Sequence, residues 1–223
     1  MRFCLGTSRR ACFLITTIAA LANANLISCA ASAAAEYSSA ITELGQLPQL
    51  RPDYPRPTDS NLLFYIQHSS SSNTVVYTAN IDADGQLDTQ QPINVYWRRF
   101  TANGERVPLS FLERLFAYGV KVHSPSPKDN AIAANIVSYP QGVINIDFDD
   151  QRKPRAAVTM GNRHAKLIYV YLDVDESKLI PSVLQVDVIG RDIADGQVLH
   201  EVIKLSSAAN RSLLWGMHRL HGG

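Results

Sequence analysis

The residues of this chain best spaced for chemistry are oxygen donors. Asn80, Asp82, Asp84 and Asp88 recur over nine positions, with Gly85 at the sixth and Leu87 at the eighth. A hard cation such as calcium needs several oxygens around one tight turn, and this spacing matches the front of an EF-hand loop. The twelfth position is Gln91 where that loop has a bidentate glutamate, and the flanks read as strands. The competing reading is a hairpin turn in which Asp and Asn accept from their own backbone, and that reading is favoured. No cofactor is implied apart from the calcium this loop suggests.

A second group centres on Tyr96-Trp97-Arg98-Arg99. Strand alternation places Tyr96 and Arg98 on one face and Trp97 and Arg99 on the other. An arginine beside aromatic rings can clamp a carboxylate or phosphate. It can equally form a structural cation–π pair, the favoured alternative. With Tyr118 and Lys121 further on, Tyr96 and Arg98 make the candidate ligand-binding set. The six histidines (68, 123, 164, 200, 218 and 221) do not form a zinc-protease HExxH pair. The nucleophile elbow, P-loop and dinucleotide fingerprint are also absent from the sequence. Asp147, Asp149 and Asp150 cluster, as do Asp173 and Asp175, in places that read as strand ends. No catalytic residue is assigned.

These groups must be positioned by strands. Leu62, Phe64 and Ile66 alternate with Leu63, Tyr65 and Gln67; Ile144, Ile146 and Phe148 alternate with Asn145 and Asp147. Ten such segments are expected: 62–67, 74–79, 93–100, 120–123, 131–139, 143–148, 156–160, 166–173, 183–189 and 198–205. One helix interrupts them, near 109–118. Ser110 and Glu113 have capping-box spacing, Leu112, Leu115 and Phe116 share a face, and Gly119 sits where a helix stops. The expected fold is mainly β: an antiparallel barrel or sandwich of about eight to ten strands with one short helix.

The first 28 residues read as an export signal, with Arg2, Arg9 and Arg10 preceding the apolar run Ala11 to Ala22. Leu26-Ile27-Ser28-Cys29 resembles a bacterial lipobox, making Cys29 the candidate lipid-attachment residue. Ordinary cleavage after Ala22-Asn23-Ala24, Ala31-Ser32-Ala33 or Ala33-Ala34-Ala35 is the alternative. Cys4 and Cys12 would leave with the signal, so the mature domain has no disulfide; a lone thiol outside the cytoplasm favours lipidation. Without residues 1–28 the chain has 18 basic and 20 acidic residues, a formal charge of −2. That balance gives no reason to expect nucleic acid. Residues 29–60, with prolines at 48, 52, 55 and 57, read as a tether or as a lead-in packed on the domain. The β domain then covers 61–205, and residues 206–223 form a tail in which Leu213, Leu214 and Trp215 stand out.

The segments Asn61-Leu62-Leu63-Phe64-Tyr65-Ile66-Gln67, Asn73-Thr74-Val75-Val76-Tyr77 and Pro92-Ile93-Asn94-Val95-Tyr96-Trp97 carry a resemblance. So do Leu115-Phe116-Ala117-Tyr118-Gly119-Val120-Lys121-Val122 and Pro181-Ser182-Val183, with Ala79-Asn80, Asp84-Gly85, Gly190, Gly196 and Glu201. Together they resemble an uncharacterised bacterial family, a domain of unknown function (number 4833), over about residues 61–204. The resemblance implies one domain and no particular activity, and it implies an envelope or exported protein.

The functional expectation is an exported, lipid-anchored, non-catalytic β domain in the periplasm or on the outer surface. It would meet the membrane through Cys29 and bind a small ligand or an envelope component. Alternatives are a small exported hydrolase and a structural envelope lipoprotein; the oligomeric state is open.

Overall fold

The computed structural model describes residues 47–123, 131–177 and 182–204. The chain divides into two units, Met1–Pro48 and Gln49–Gly223. Of the first only Leu47 and Pro48 are described, so Cys4, Cys12 and Cys29 lie outside the described residues, as does the tail 206–223. Among the described residues no helix is long and apolar enough to cross a membrane.

The second unit is one sheet curled into a half-barrel. Its strands are β1 (Leu62–His68), β2 (Ser71–Ala79), β3 (Ile93–Arg99), β4 (Glu105–Pro108), β5 (Val120–Val122) and β6 (Ile132–Ile136). They continue as β7 (Tyr139–Phe148), β8 (Pro154–Met160), β9 (Arg163–Asp175), β10 (Ser182–Asp192) and β11 (Val198–Lys204). The main path runs β4-β3-β2-β1-β9-β8-β7-β6-β5, and β10 and β11 extend from β9. One helix, α1 (Phe111–Phe116), joins β4 to β5.

Strand β9 organises the sheet. Its first half pairs antiparallel with β8, and its second half pairs with β1, residues Tyr65–His68 lying opposite Tyr169–Leu172. The β1–β9 pair is parallel, the exception in a sheet expected to be antiparallel throughout. A bulge falls between the two halves. Strand β10 pairs Gly190 with Leu167 and Ile189 with Tyr169, leaving Ile168 without a register partner. The extra residue bends the strand and reverses which side chains point inward. Ala165 and Leu167 therefore share the concave face with Val170 and Leu172.

The concave face holds the core. Phe64, Ile66, Val75, Tyr77 and Trp97 from one wing meet Ile132, Ile136, Ile144 and Ile146 from the other. Phe64 and Tyr77 stack at 4.2 Å with their planes 12° apart. Period-two alternation turns Tyr65, Gln67, Tyr96, Arg98, Tyr169 and Tyr171 to the convex face. Residues 49–60 pack there. Arg51 Nη1 and the Tyr54 hydroxyl both donate to the Ser69 carbonyl at 3.1 Å, and Gln67 Nε2 donates to the Pro55 carbonyl at 3.2 Å. This part of the expected tether is thus a lead-in fixed to the sheet.

Three further differences from the sequence reading have physical causes. Strand β4 is an eleventh strand; its four residues, Glu105-Arg106-Val107-Pro108, carry two charges and a proline, as short edge strands do. The expected segment 131–139 is broken after Ile136, because β6 turns back into the longer β7. Helix α1 forms with its full capping box, yet none of its residues is buried. Gly119 does not end the helix through a left-handed conformation. A Cβ there would lie 1.7 Å from the Arg114 carbonyl oxygen, so glycine is required for close backbone approach.

Candidate functional site

The four residues of the candidate ligand-binding set go to different places. Tyr96 and Arg98 share the convex face, where both bind Asp59 of the lead-in. The Tyr96 hydroxyl donates to Asp59 Oδ1 at 2.9 Å, and Arg98 Nε donates to both carboxylate oxygens at 3.0 and 3.1 Å. Arg98 Nη1 also donates to the Gly104 carbonyl at 2.8 Å, and the Arg106 guanidinium lies 3.8 Å above the Tyr96 ring. The Asp59 side chain is only 5 % exposed. The carboxylate that the arginine and tyrosine clamp is therefore the chain's own.

Tyr118 lies on the concave face in an aromatic cluster with His68 and Trp97. Its hydroxyl and His68 Nε2 share a hydrogen bond of 3.0 Å, and its ring meets Trp97 edge-on at 5.4 Å. Its carbonyl accepts from the buried Tyr77 hydroxyl at 3.0 Å. The Trp97 indole N–H donates to Glu113 Oε1 at 3.1 Å, while Glu113 Oε2 accepts from the Ser110 backbone N–H at 2.8 Å. Glu113 thereby ties the helix cap to the core. Burial lowers the His68 pKa to about 4 and raises that of Tyr118 to about 12. Desolvation also pushes Glu113 up, but Ser110, Trp97 and Arg99 outweigh it and hold the carboxyl below its usual range. At neutral pH the histidine and tyrosine are both uncharged, and neither is tuned to exchange a proton near pH 7.

A concavity lies at the open side of the half-barrel, between the β3–β4 wing and β5. It is a cleft of about 550 Å³, within the ~300–1,000 Å³ usual for small-molecule sites. Ile93, Val95, Val107, Leu109 and Val120 supply apolar lining, and Arg106 and Arg114 add two guanidinium groups. Of the candidate set only Tyr96 touches it; Arg98 and Tyr118 lie elsewhere, and Lys121 is exposed beside it. The lining comes from segments 90–96, 106–109, 114 and 119–122, which strand pairing and the helix bring together. No local motif marks it. The one available signal was the pair of apolar positions Val107 and Leu109 next to cationic Arg106.

The oxygen-donor loop is a tight turn closed by a bridge between Ile81 and Leu87. Asp82 Oδ1 accepts from the backbone N–H groups of Asp84 and Gln86, both at 2.9 Å. Asp88 Oδ1 accepts from Gln90 and Gln91, and Asn80 Nδ2 donates to Asp88 Oδ2 at 3.2 Å. Gly85, at φ +73°, makes the left-handed step the turn needs. These bonds are those of a self-capped turn. Among the described residues no group of three His, Cys, Asp or Glu side chains is placed to hold a metal ion.

Further titratable pairs lie elsewhere in the sheet. Asp147 accepts from Arg155 Nε at 2.7 Å across β7 and β8. Asp187, buried on β10, lies 2.8 Å from His200 Nε2 on β11 and accepts from Gln185 Nε2 at 2.9 Å.

The fold and its cleft define a β half-barrel domain with one open, partly cationic side. The family described as Domain of unknown function (DUF4833) matches residues 64–202, and the chain belongs to that family. No curated protein and no solved structure matches it.

Proposed function

We propose that this domain is an exported binding module whose cleft takes a small amphipathic ligand with an anionic group. The observation that carries the reading is the cleft itself: apolar walls from β3, β4 and β5, with Arg114 placed to meet a carboxylate or phosphate and Arg106 beside it, stacked on Tyr96 and 4.0 Å from Asp59. Export and lipid attachment at Cys29 belong to the same proposal, supported by the N-terminal pattern in the sequence. Membrane tethering would hold the cleft where amphipathic molecules are plentiful. Titration with a dansyl-labelled fatty acid tests the binding. Saturable emission enhancement at one molecule per chain is expected, weakened by Arg114→Ala and abolished by Val107→Trp, which fills the cleft. Non-saturable binding, or binding indifferent to both substitutions, would sink the reading. For the anchor, the mass of the mature N-terminus decides: a diacylated Cys29 is expected.

A second reading, an exported hydrolase, draws on the His200–Asp187 pair. A buried carboxylate orienting a half-exposed imidazole is one half of a general-base arrangement. Its test is loss of ester hydrolysis in His200→Ala with an unchanged melting temperature.

A further inference from the structure

Helix α1 presents its large apolar side chains to water. Phe111 is 75 % exposed, Leu112 59 % and Leu115 48 %, and Val122 on β5 adds a fourth apolar side chain at 37 %. Gly119 brings β5 against the helix backbone at Arg114, so these residues belong to one corner of the molecule. The capping box and the Trp97–Glu113 bond fix the helix with Leu112 and Leu115 outward.

The same corner is cationic. Arg114 lies within α1, and Lys121 is an exposed neighbour of Val122. Arg99 stacks on Trp97 at 4.9 Å, beneath the helix, and Arg106 lines the cleft with Arg114. Against these four cations stand Glu105, opposite Arg99 in the β3–β4 ladder, Asp59, 4.0 Å from Arg106, and Glu113, already bound to Ser110 and Trp97; Arg114 and Lys121 carry the positive charge of the corner.

We propose that this corner docks on an anionic phospholipid bilayer, with Phe111, Leu112 and Leu115 in the acyl–headgroup boundary and Arg114 and Lys121 among the headgroup phosphates. Exposed aromatic and aliphatic side chains flanked by basic ones are the composition of an interfacial contact. Charge decides among the occupants. A second copy of the chain meeting this face about a two-fold axis would bring Arg114 and Lys121 against their own copies, whereas lipid phosphates neutralise them. This corner shares Arg114 and Val122 with the cleft, but Phe111, Leu112 and Leu115 do not line it, so a dye at position 112 reports on the helix face alone.

The test uses the full chain with Cys4, Cys12 and Cys29 replaced by Ser and Leu112→Cys carrying an environment-sensitive nitrobenzoxadiazole dye. On phosphatidylglycerol vesicles the emission should move to the blue and rise several-fold, and it should respond less to phosphatidylcholine vesicles. The same dye on Val202→Cys, exposed on β11, should keep its aqueous spectrum. An aqueous spectrum at position 112 in the presence of phosphatidylglycerol vesicles would overturn the proposal. Equal shifts at both positions would reduce it to adsorption. A shift that grows with protein concentration without lipid would assign the face to self-association, also overturning it.

Discussion

The hydroxyl of Tyr96 donates to Asp59 Oδ1 at 2.9 Å across 37 residues of chain, and Arg98 grips the same carboxylate from two positions along β3. The lead-in is thereby fastened to the convex face by a carboxylate almost removed from water. Breaking such a pair leaves a cation without its partner. Asp59→Ala is expected to lower unfolding stability by about 2 kcal/mol, since Arg98 keeps some access to solvent. Tyr96→Phe should cost about 1 kcal/mol, because its ring remains under Arg106 and one hydrogen bond is lost. Urea denaturation reads both; unchanged midpoints would contradict the assignment.

His68 gives the fold an acid sensitivity of known sign. Burial lowers its pKa from 6.5 to about 4. Below pH 6.5 the unfolded chain takes up a proton that the folded imidazole refuses. This contribution is fully present above pH 6.5 and is lost progressively as the pH falls toward 4, by about 3 kcal/mol in all. His68→Gln should flatten the stability profile across that window. An unchanged slope in the variant would show that other groups set it.

The loop from Asn80 to Asp88 should behave as a turn. Asp82→Ala removes the acceptor for two backbone N–H groups, and a loss of about 1–2 kcal/mol is expected. Melting curves recorded in calcium and in chelator should superimpose. A rise in melting temperature with calcium would restore the ion-site reading.

Gly119→Ala places a methyl against the Arg114 carbonyl, so α1 must move away from β5. The expected cost is about 1–3 kcal/mol, accompanied by weaker binding of the dansyl probe because Arg114 shifts with the helix. Wild-type stability would show that the approach is not tight.

Local pattern made much of this architecture legible. Ten of the eleven strands were expected from local pattern, several of them by clean alternation, and Ser110 with Glu113 announced the helix cap, because capping chemistry is local. The faces of Tyr96, Trp97, Arg98 and Arg99 followed from period two alone. What pattern did not reveal depends on long-range pairing. Strand β4 exists because Trp97 and Arg98 offer an edge to Val107 and Arg106. Neither the parallel β1–β9 contact nor the bulge at Ile168 is marked by a residue type. The cleft was hidden because Val95, Val107 and Val120 are scattered in sequence, and because the arginine that looked free for ligand, Arg98, is occupied by Asp59.

The central claim is that the open side of the half-barrel is the binding site. Backbone amide chemical shifts recorded while dodecanoate is added test it most directly. The largest perturbations should fall at 93–96, 106–109 and 119–122, and should saturate together. Perturbations centred on 185–202 instead, or spread evenly over the sheet, would contradict it.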